Sequence, residues 1–93
     1  MAYVVEMRPA ARRQLDSLRG SSYIALQGVI RGLAADPRPR GASKIVGRAD
    51  FWRVRVRIDR QPWRVIYQID DRVRLVVVTR IARRDEGTYR GLP

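Results

Sequence analysis

The fold of this chain is decided by residues 51–84, FWRVRVRIDRQPWRVIYQIDDRVRLVVVTRIARR. This stretch contains three runs rich in valine, isoleucine and aromatic residues: FWRVRVR (51–57), WRVIYQID (63–70) and VRLVVVTR (73–80). Such residues favour the pleated geometry of a strand, and short polar connections separate the runs. The stretch therefore predicts a three-stranded meander.

Apolar and basic residues alternate along the first run. The apolar set is Trp52, Val54, Val56 and Ile58, and the basic set is Arg53, Arg55 and Arg57. Successive side chains of a strand point to opposite faces of the sheet. The second run repeats the alternation and adds Arg64 to the basic side. The pattern predicts one core face and one cationic face.

The third run is apolar on both sides, which is typical of a central strand. Unbroken alternation puts Val73, Leu75, Val77 and Ile81 on one face and Val76 and Val78 on the other. The run ends at Arg80, and Arg83 and Arg84 follow shortly after it.

A short strand and two helices are predicted upstream. Tyrosine and paired valines within residues 2–7 favour the strand. The first helix has about three turns and ends at Gly20 as its C-cap. Its apolar side is Ala11, Leu15 and Leu18. Ser21 or Ser22 caps the second helix, which ends at Asp36. Its apolar side is Tyr23, Leu26, Ile30 and Leu33.

Residues 37–50 contain several prolines and glycines and predict a loop. The order βααβββ then predicts an α+β fold, with a helical hairpin packed on one face of a small, mainly antiparallel four-stranded sheet. A chain of 93 residues has room for one core and one site, so residues 1–93 are expected to form a single domain.

The composition narrows the classes of ligand. Twenty basic residues against nine acidic ones give a net charge of +11. Such an excess attracts polyanions, which favours nucleic acid as the ligand and an acidic protein as the second class of partner. The chain has no histidine and no cysteine, so no cofactor or metal is expected. The apolar run near the N-terminus is too short for a signal peptide or a membrane span, which predicts a cytoplasmic protein without membrane contact.

Three segments, taken in order, resemble the RelE/ParE superfamily of toxins from bacterial and archaeal toxin-antitoxin pairs: WRVRVR (52–57), WRVIYQID (63–70) and IARRDEGTYR (81–90). The resemblance covers nearly the whole chain and is to the RelE type. It implies a RelE-like fold and a metal-independent endoribonuclease that cuts messenger RNA in the ribosomal A site and so inhibits translation. It also implies a cognate acidic antitoxin as partner.

The same resemblance implies a set of catalytic residues. The set is Arg53, Arg55, Arg64, Arg84 and Tyr89. Arg53 and Arg55 stand where RelE-type enzymes usually have lysines, and Tyr89 matches the tyrosine that stacks on a substrate base. Further contacts with the RNA backbone are expected from Arg57, Arg80 and Arg83. The spacing from Arg84 to Tyr89 is one residue shorter than in the best-known member.

Cleavage in this family proceeds by attack of a ribose 2′-hydroxyl on the adjacent phosphate. Guanidinium groups suit the stabilisation of the charged intermediate, but a pKa above about 12 makes arginine a poor general base. The general base is therefore left open. The candidates are Tyr89, Asp85 and Glu86, and no residue of the chain is needed if ribosomal RNA and positioning of the substrate do most of the work.

The same residues are also consistent with other interpretations. Arg53, Arg55 and Arg57 alone are equally consistent with a solvated sheet face, and adding Arg64 and Arg84 favours a functional surface. A ParE-type inhibitor of DNA gyrase is the alternative function, although such inhibitors lack the basic catalytic set and usually have longer N-terminal helices. A non-enzymatic RNA-binding or repressor-partner module is the third hypothesis.

Overall fold

The computed structural model of the protein describes residues 2–83. Within them the elements are β1 (Val4–Met7), α1 (Pro9–Asp16), α2 (Gly20–Gly32), β2 (Ala42–Lys44), β3 (Phe51–Ile58), β4 (Gln61–Asp70) and β5 (Leu75–Arg83). The strands form one sheet in the order β1-β5-β4-β3-β2, in which β1 runs parallel to β5 and the other pairs are antiparallel. The predicted α+β fold is confirmed, but the sheet has five strands instead of four.

The additional strand, β2, lies inside the segment that was predicted to be a loop. Its three residues pair with β3, with Ala42 opposite Val54 and Lys44 opposite Trp52. A strand this short shows no alternation of apolar and polar residues, so its sequence gives no strand signal. Pairing with the edge of β3 is what makes it a strand.

Both helices are shorter than predicted. α1 has eight residues and its C-cap is Ser17, so the prediction of Gly20 as the cap was wrong. Gly20 has a φ of +61°, which glycine adopts without strain, and it opens α2 instead. α2 ends at Gly32, before the predicted end at Asp36. Neither helix of the described residues is long and apolar enough to cross a membrane.

The helices pack on one face of the sheet through the residues that their periodicity indicated. The helix side of the core contains Ala11, Leu15, Leu26, Ile30 and Leu33. The sheet side contains Val54, Ile58, Val65, Tyr67, Ile69, Val76, Val78 and Ile81. Burying one such aliphatic side chain contributes about 1.5 to 3 kcal/mol, so this shared interior is the main source of stability.

Tyr67 lies at the centre of this core and is fully buried. Its hydroxyl donates a hydrogen bond of 2.8 Å to the carbonyl oxygen of Pro37, which satisfies both groups. Burial raises the pKa of Tyr67 to about 12. The bond ties the segment after α2 to the middle of β4.

A β-bulge interrupts β5 at Thr79. Tyr67 pairs with Val78 and Ile66 pairs with Arg80, which leaves Thr79 as the extra residue. The Thr79 hydroxyl donates a hydrogen bond of 3.1 Å to the carbonyl oxygen of Ile66. The backbone N–H of Ile81 donates one of 2.8 Å to Gln14 Oε1 on α1.

The bulge changes which side chains of β5 face the helices. Ile81 joins Val76 and Val78 in the core, whereas unbroken alternation would have placed Arg80 there. The prediction that grouped Ile81 with Leu75 and Val77 was therefore wrong. An extra residue shifts the pleat by one position, and every side chain beyond it changes face.

A polar cluster ties together the end of the sheet where β4 turns into β5. The Arg38 guanidinium forms two hydrogen bonds to the Asp71 carboxylate, of 3.2 and 2.8 Å, and lies 4.9 Å from the centroid of the Trp52 ring. The Tyr3 hydroxyl donates a hydrogen bond of 2.6 Å to the same carboxylate. We call Tyr3, Arg38, Trp52 and Asp71 the end clamp.

The end clamp shifts the pKa of three of its members, and the hydrogen bond to Asp71 raises the pKa of Arg38. Hydrogen bonds from Arg38 and Tyr3 lower the pKa of Asp71. The hydrogen bond to Asp71 raises the pKa of Tyr3. These shifts favour the ionised carboxylate and the neutral phenol near pH 7, the states in which the clamp is formed.

Candidate nucleic-acid interface

Arginines cluster on the sheet face opposite the helices. Alternation along β3 and β4 directs Arg53, Arg55, Arg57 and Arg64 away from the core, and the bulge in β5 directs Arg80 to the same side. We call these five residues the basic face. The cationic face predicted from residues 51–84 is thus present, and it extends across three strands.

The strand register arranges the basic face in two neighbouring rows. Arg55 lies directly opposite Arg64, and Arg53 and Arg80 flank Ile66 from the two sides. Cross-strand partners have Cβ atoms about 5 Å apart, and like charges in such pairs repel each other. An anion on this face would relieve that repulsion, so the register favours binding of a polyanion.

The basic face has a recessed centre and an exposed rim. Arg64 is only 2% exposed and is the buried charged residue among residues 2–83. Arg53 and Arg80 are half-buried, whereas Arg55 and Arg57 are exposed. Charge interactions strengthen where water is excluded, so a phosphate that reached Arg64 would be held more strongly than one at the rim.

A cavity of about 310 Å³ opens beside the recessed arginine, near the β3–β4 turn. Its lining is Arg55, Val56, Arg57, Pro62, Trp63 and Arg64. The guanidinium groups of Arg55, Arg57 and Arg64 and the ring of Pro62, which pairs with Arg57, lie on this side of the sheet. Such a mixture suits a nucleotide, whose phosphate is anionic and whose base is flat and largely apolar.

The five arginines of the basic face are all predicted site residues, whereas a sixth predicted residue, Arg83, lies on the other face of the sheet. Arg83 pairs with Trp63, whose side chain packs against the core, so Arg83 lies on the opposite face from Arg64 and Arg80. The grouping of Arg83 with Arg80 was wrong, because residues three apart on a strand face opposite sides, and the bulge at Thr79 determines that Arg80 is the one on the basic face. Arg84 and Tyr89 lie outside the described residues, as do Asp85 and Glu86.

Two residues that support the site were missed at the level of sequence. Thr79 forms the bulge that sets the direction of Arg80, and Gln14 accepts the hydrogen bond from the β5 backbone beyond it. Their only signals are a hydroxyl within an apolar run and a polar residue on a helix side next to Leu15. Neither signal specifies a contact with a residue 67 positions away, as Gln14 makes with Ile81.

The two tyrosines with shifted pKa values, Tyr3 and Tyr67, lie away from the basic face. Tyr67 is buried on the helix side of the sheet and bonded to Pro37. Tyr3 belongs to the end clamp with Asp71, which is the first residue after β4 and lies seven residues beyond Arg64. At 3.3 Å per residue this separation is about 23 Å. Neither phenol is therefore placed to accept a proton at the basic face.

Residues 5–87 match the family described as ParE toxin of type II toxin-antitoxin systems, parDE. The chain belongs to this family. The match confirms the RelE/ParE superfamily that the sequence segments resembled. A comparison with curated protein sequences gave no significant match.

Solved structures similar to this ParE-family chain are RelE toxins and their antitoxin complexes. The RelBE2 toxin–antitoxin complex of Mycobacterium tuberculosis matches with 27% identity and a TM-score of 0.75, over 90% of this chain and 100% of the other. The archaeal RelE–RelB complex of Pyrococcus horikoshii OT3 matches with 24% identity and a TM-score of 0.72, over 92% and 99%. The intact RelBE complex of E. coli matches with 19% identity and a TM-score of 0.73, over 91% and 100%. The last two show the shared fold.

Proposed function

We propose that this chain is a RelE-type toxin that acts as a metal-independent endoribonuclease on messenger RNA, in the ribosomal A site, and thereby inhibits translation. The observation that carries the proposal is the register that sets Arg55 opposite Arg64 and brings Arg53, Arg57 and Arg80 onto the same face. A surface of this kind suits a substrate with a charged backbone. The solved RelE structures support the same choice through their fold.

The proposed reaction needs stabilisation of charge at phosphorus. The 2′-oxygen of a ribose attacks the adjacent phosphorus and the bond to the 5′-oxygen of the next nucleotide breaks, which leaves a 2′,3′-cyclic phosphate. The intermediate has more negative charge on its non-bridging oxygens than the substrate has. In this proposal Arg64 and Arg55 would donate to those oxygens, and one fixed donor of this kind contributes about 2.7 to 4 kcal/mol in a model protease.

The rest of the basic face would hold the RNA backbone. Arg53, Arg57 and Arg80 extend the positive surface along and across the strands from the central pair. Contacts of this kind fix the position of the chain without reading base sequence. The predicted roles of Arg84 at the scissile phosphate and of Tyr89 in base stacking complete the site.

Proton transfer in this site requires a group other than guanidinium. The 2′-hydroxyl must lose a proton and the leaving 5′-oxygen must gain one, and arginine stays protonated throughout the neutral range. Tyr89, Asp85 and Glu86 remain the candidates within the chain, with ribosomal RNA as the alternative source.

An acidic antitoxin is the proposed protein partner. The similar proteins from M. tuberculosis, P. horikoshii and E. coli were solved as complexes with their antitoxins. A chain with a net charge of +11 would bind an acidic segment laid across the helices and the basic face. Exposed charge pairs are screened over about 10 Å at 0.1 M salt, so this affinity should fall as salt rises. The proposed site of action is the cytoplasm.

Inhibition of DNA gyrase is the alternative, and the match to the ParE toxin family is the observation that favours it. The lengths of the helices support the ribonuclease instead. α1 has eight residues and α2 has thirteen, whereas the resemblance implies longer N-terminal helices in gyrase inhibitors.

Pulse labelling after induced expression of the chain separates these functions. A ribonuclease should stop protein synthesis first and produce new 5′ ends within translated messages. The Arg64→Gln variant should permit growth, while Arg72→Ala, which changes an exposed arginine beside Asp70, should remain toxic. Arrest of DNA synthesis before protein synthesis, with intact messenger RNA, would assign the chain to the gyrase inhibitors.

A further inference from the structure

The turn between β3 and β4 has an unusual residue at its second position. Ile58 pairs with Gln61, so the turn consists of Asp59 and Arg60 alone. Their φ angles are +51° and +69°, the left-handed pair that defines a type I′ hairpin turn. Glycine is the preferred second residue of this turn because it has no Cβ. This chain has arginine there.

The turn itself is fixed by a contact with the helices. The Ser21 hydroxyl on α2 donates a hydrogen bond to the Asp59 carboxylate. Asp59 therefore has a structural role, since it joins the β3–β4 turn to the start of α2. The position of the next residue, Arg60, is set by the same contact.

The Arg60 side chain makes no comparable contribution to the fold. It is exposed, and within residues 2–83 no hydrogen bond or ion pair holds its guanidinium. The backbone strain at this position thus has no compensating intramolecular contact in the described part of the chain. The exposed guanidinium of Arg60 is therefore accessible to an external ligand.

The location of Arg60 identifies the class of ligand. Arg53, Arg55 and Arg57 follow one another at every second residue of β3, which spaces them about 7 Å apart along the strand. Arg60 lies at the tip of the same hairpin, three residues beyond Arg57 and two residues before Pro62, which lines the cavity. We propose that Arg60 is a further RNA-binding residue, which contacts a backbone phosphate beyond the basic face. This inference rests on the proposed ribonuclease function.

Arg74 provides a matched control for Arg60, because both residues have a positive φ and are therefore under similar backbone strain. Arg74 lies in the turn between β4 and β5, with a φ of +55°, and is also exposed. Its neighbours include Asp70 and Asp71, and it lies at the opposite end of β4 from the hairpin tip. Substitution of either arginine by glycine removes one positive charge and relieves the same strain.

The test measures binding of the full chain to a fluorescent single-stranded RNA with 2′-O-methyl groups, which cannot be cleaved because the attacking hydroxyl is blocked. Fluorescence anisotropy is recorded between 50 and 300 mM salt for the wild type, Arg60→Gly, Arg74→Gly and Arg55→Ala. A lost phosphate contact flattens the slope of log K against log salt by about 0.7 and weakens binding about fivefold at 0.1 M salt. We expect this change in Arg60→Gly and a much smaller one in Arg74→Gly. Both glycine variants should melt a few degrees higher than the wild type.

Four outcomes would overturn the inference. Equal affinities of Arg60→Gly and Arg74→Gly, with weak binding by Arg55→Ala, would reject the role of Arg60 while leaving the proposed function in place. If Arg55→Ala also bound RNA as tightly as the wild type, both the role of Arg60 and the proposed ribonuclease function would be rejected. Loss of affinity for the antitoxin but not for RNA would assign the turn to the protein partner. A lower melting temperature of Arg60→Gly would show that the guanidinium supports the fold.

Discussion

The two ends of the sheet use arginine in opposite ways. In the end clamp, the Arg38 guanidinium meets the Asp71 carboxylate in a bidentate contact and also lies over the Trp52 ring. On the basic face, the cross-strand partner of Arg55 is another arginine, Arg64. The opposite charges of Arg38 and Asp71 attract each other, whereas the like charges of Arg55 and Arg64 repel each other and form part of a positively charged surface. The comparison shows that the role of an arginine in this chain depends on the charge of the residue that lies opposite it.

This comparison predicts that the basic face can be altered with a large loss of activity and a small loss of stability. Arg64→Gln should lower the rate of message cleavage about 10²- to 10³-fold, because a fixed donor to the developing charge is lost. Single-turnover cleavage of ribosome-bound message measures the rate. Arg72→Ala, at the far end beside Asp70, is the matched control and should cleave at the wild-type rate. A wild-type rate in Arg64→Gln would remove Arg64 from the site.

The predicted stacking residue extends the comparison beyond the arginines. Tyr89→Ala should lose about 1 to 3 kcal/mol of substrate stabilisation, which corresponds to roughly 5- to 150-fold in the cleavage rate. Tyr89→Phe should retain activity if stacking is the whole role, since the ring remains. Cleavage assays on both variants, with folding checked by circular dichroism, make the measurement. If Tyr89→Phe is as inactive as Tyr89→Ala, the hydroxyl takes part in proton transfer.

Tyr67→Phe should instead affect stability alone. The variant loses the hydrogen bond to Pro37 and leaves a buried carbonyl without that donor, at a cost of about 1 to 3 kcal/mol. The pKa of Tyr67 is raised to about 12 in the folded state, above its unfolded value near 10. Its contribution is therefore fully present below pH 10 and is lost as the pH rises towards 12.

Denaturant unfolding between pH 7 and pH 12 tests this prediction. The difference in stability between wild type and Tyr67→Phe should shrink across the upper part of that range. A constant difference would show that the Tyr67 hydroxyl is not protected from ionisation by the core.

The smallest effect is expected in the end clamp. Asp71→Asn should lower the melting temperature slightly, and the loss should diminish as salt is added, because Arg38 and Asp71 are both exposed. Since the folded pKa of Asp71 is lowered, its contribution is present above the unfolded value near 4 and is lost as the pH falls through the folded pKa. Thermal melts at pH 7 and pH 3 measure this change. Cleavage by Asp71→Asn should equal that of the wild type, and reduced cleavage would mean that the two ends of the sheet are coupled.

The principal strands, the helix faces and the overall charge were predictable from the sequence because each depends on neighbours along the chain. Alternation of Val54 and Val56 with Arg53 and Arg55 defines the two faces of β3 without reference to any other strand. The spacing of Leu26, Ile30 and Leu33 likewise defines the buried side of the second helical segment. The clustering of Arg53, Arg55 and Arg64 then follows from the pairing of two adjacent strands across a short turn.

Other features were decided only by the tertiary structure because they depend on hydrogen bonds between distant segments. β2 exists through its pairing with the edge of β3, and the end clamp joins Tyr3 to Asp71, 68 residues away. The bulge at Thr79 results from how β5 fits β4 and α1 together, and it turns Arg80 towards the basic face and Arg83 away from it. Local periodicity cannot encode such a shift, because the residues that impose it lie on other strands and on a helix.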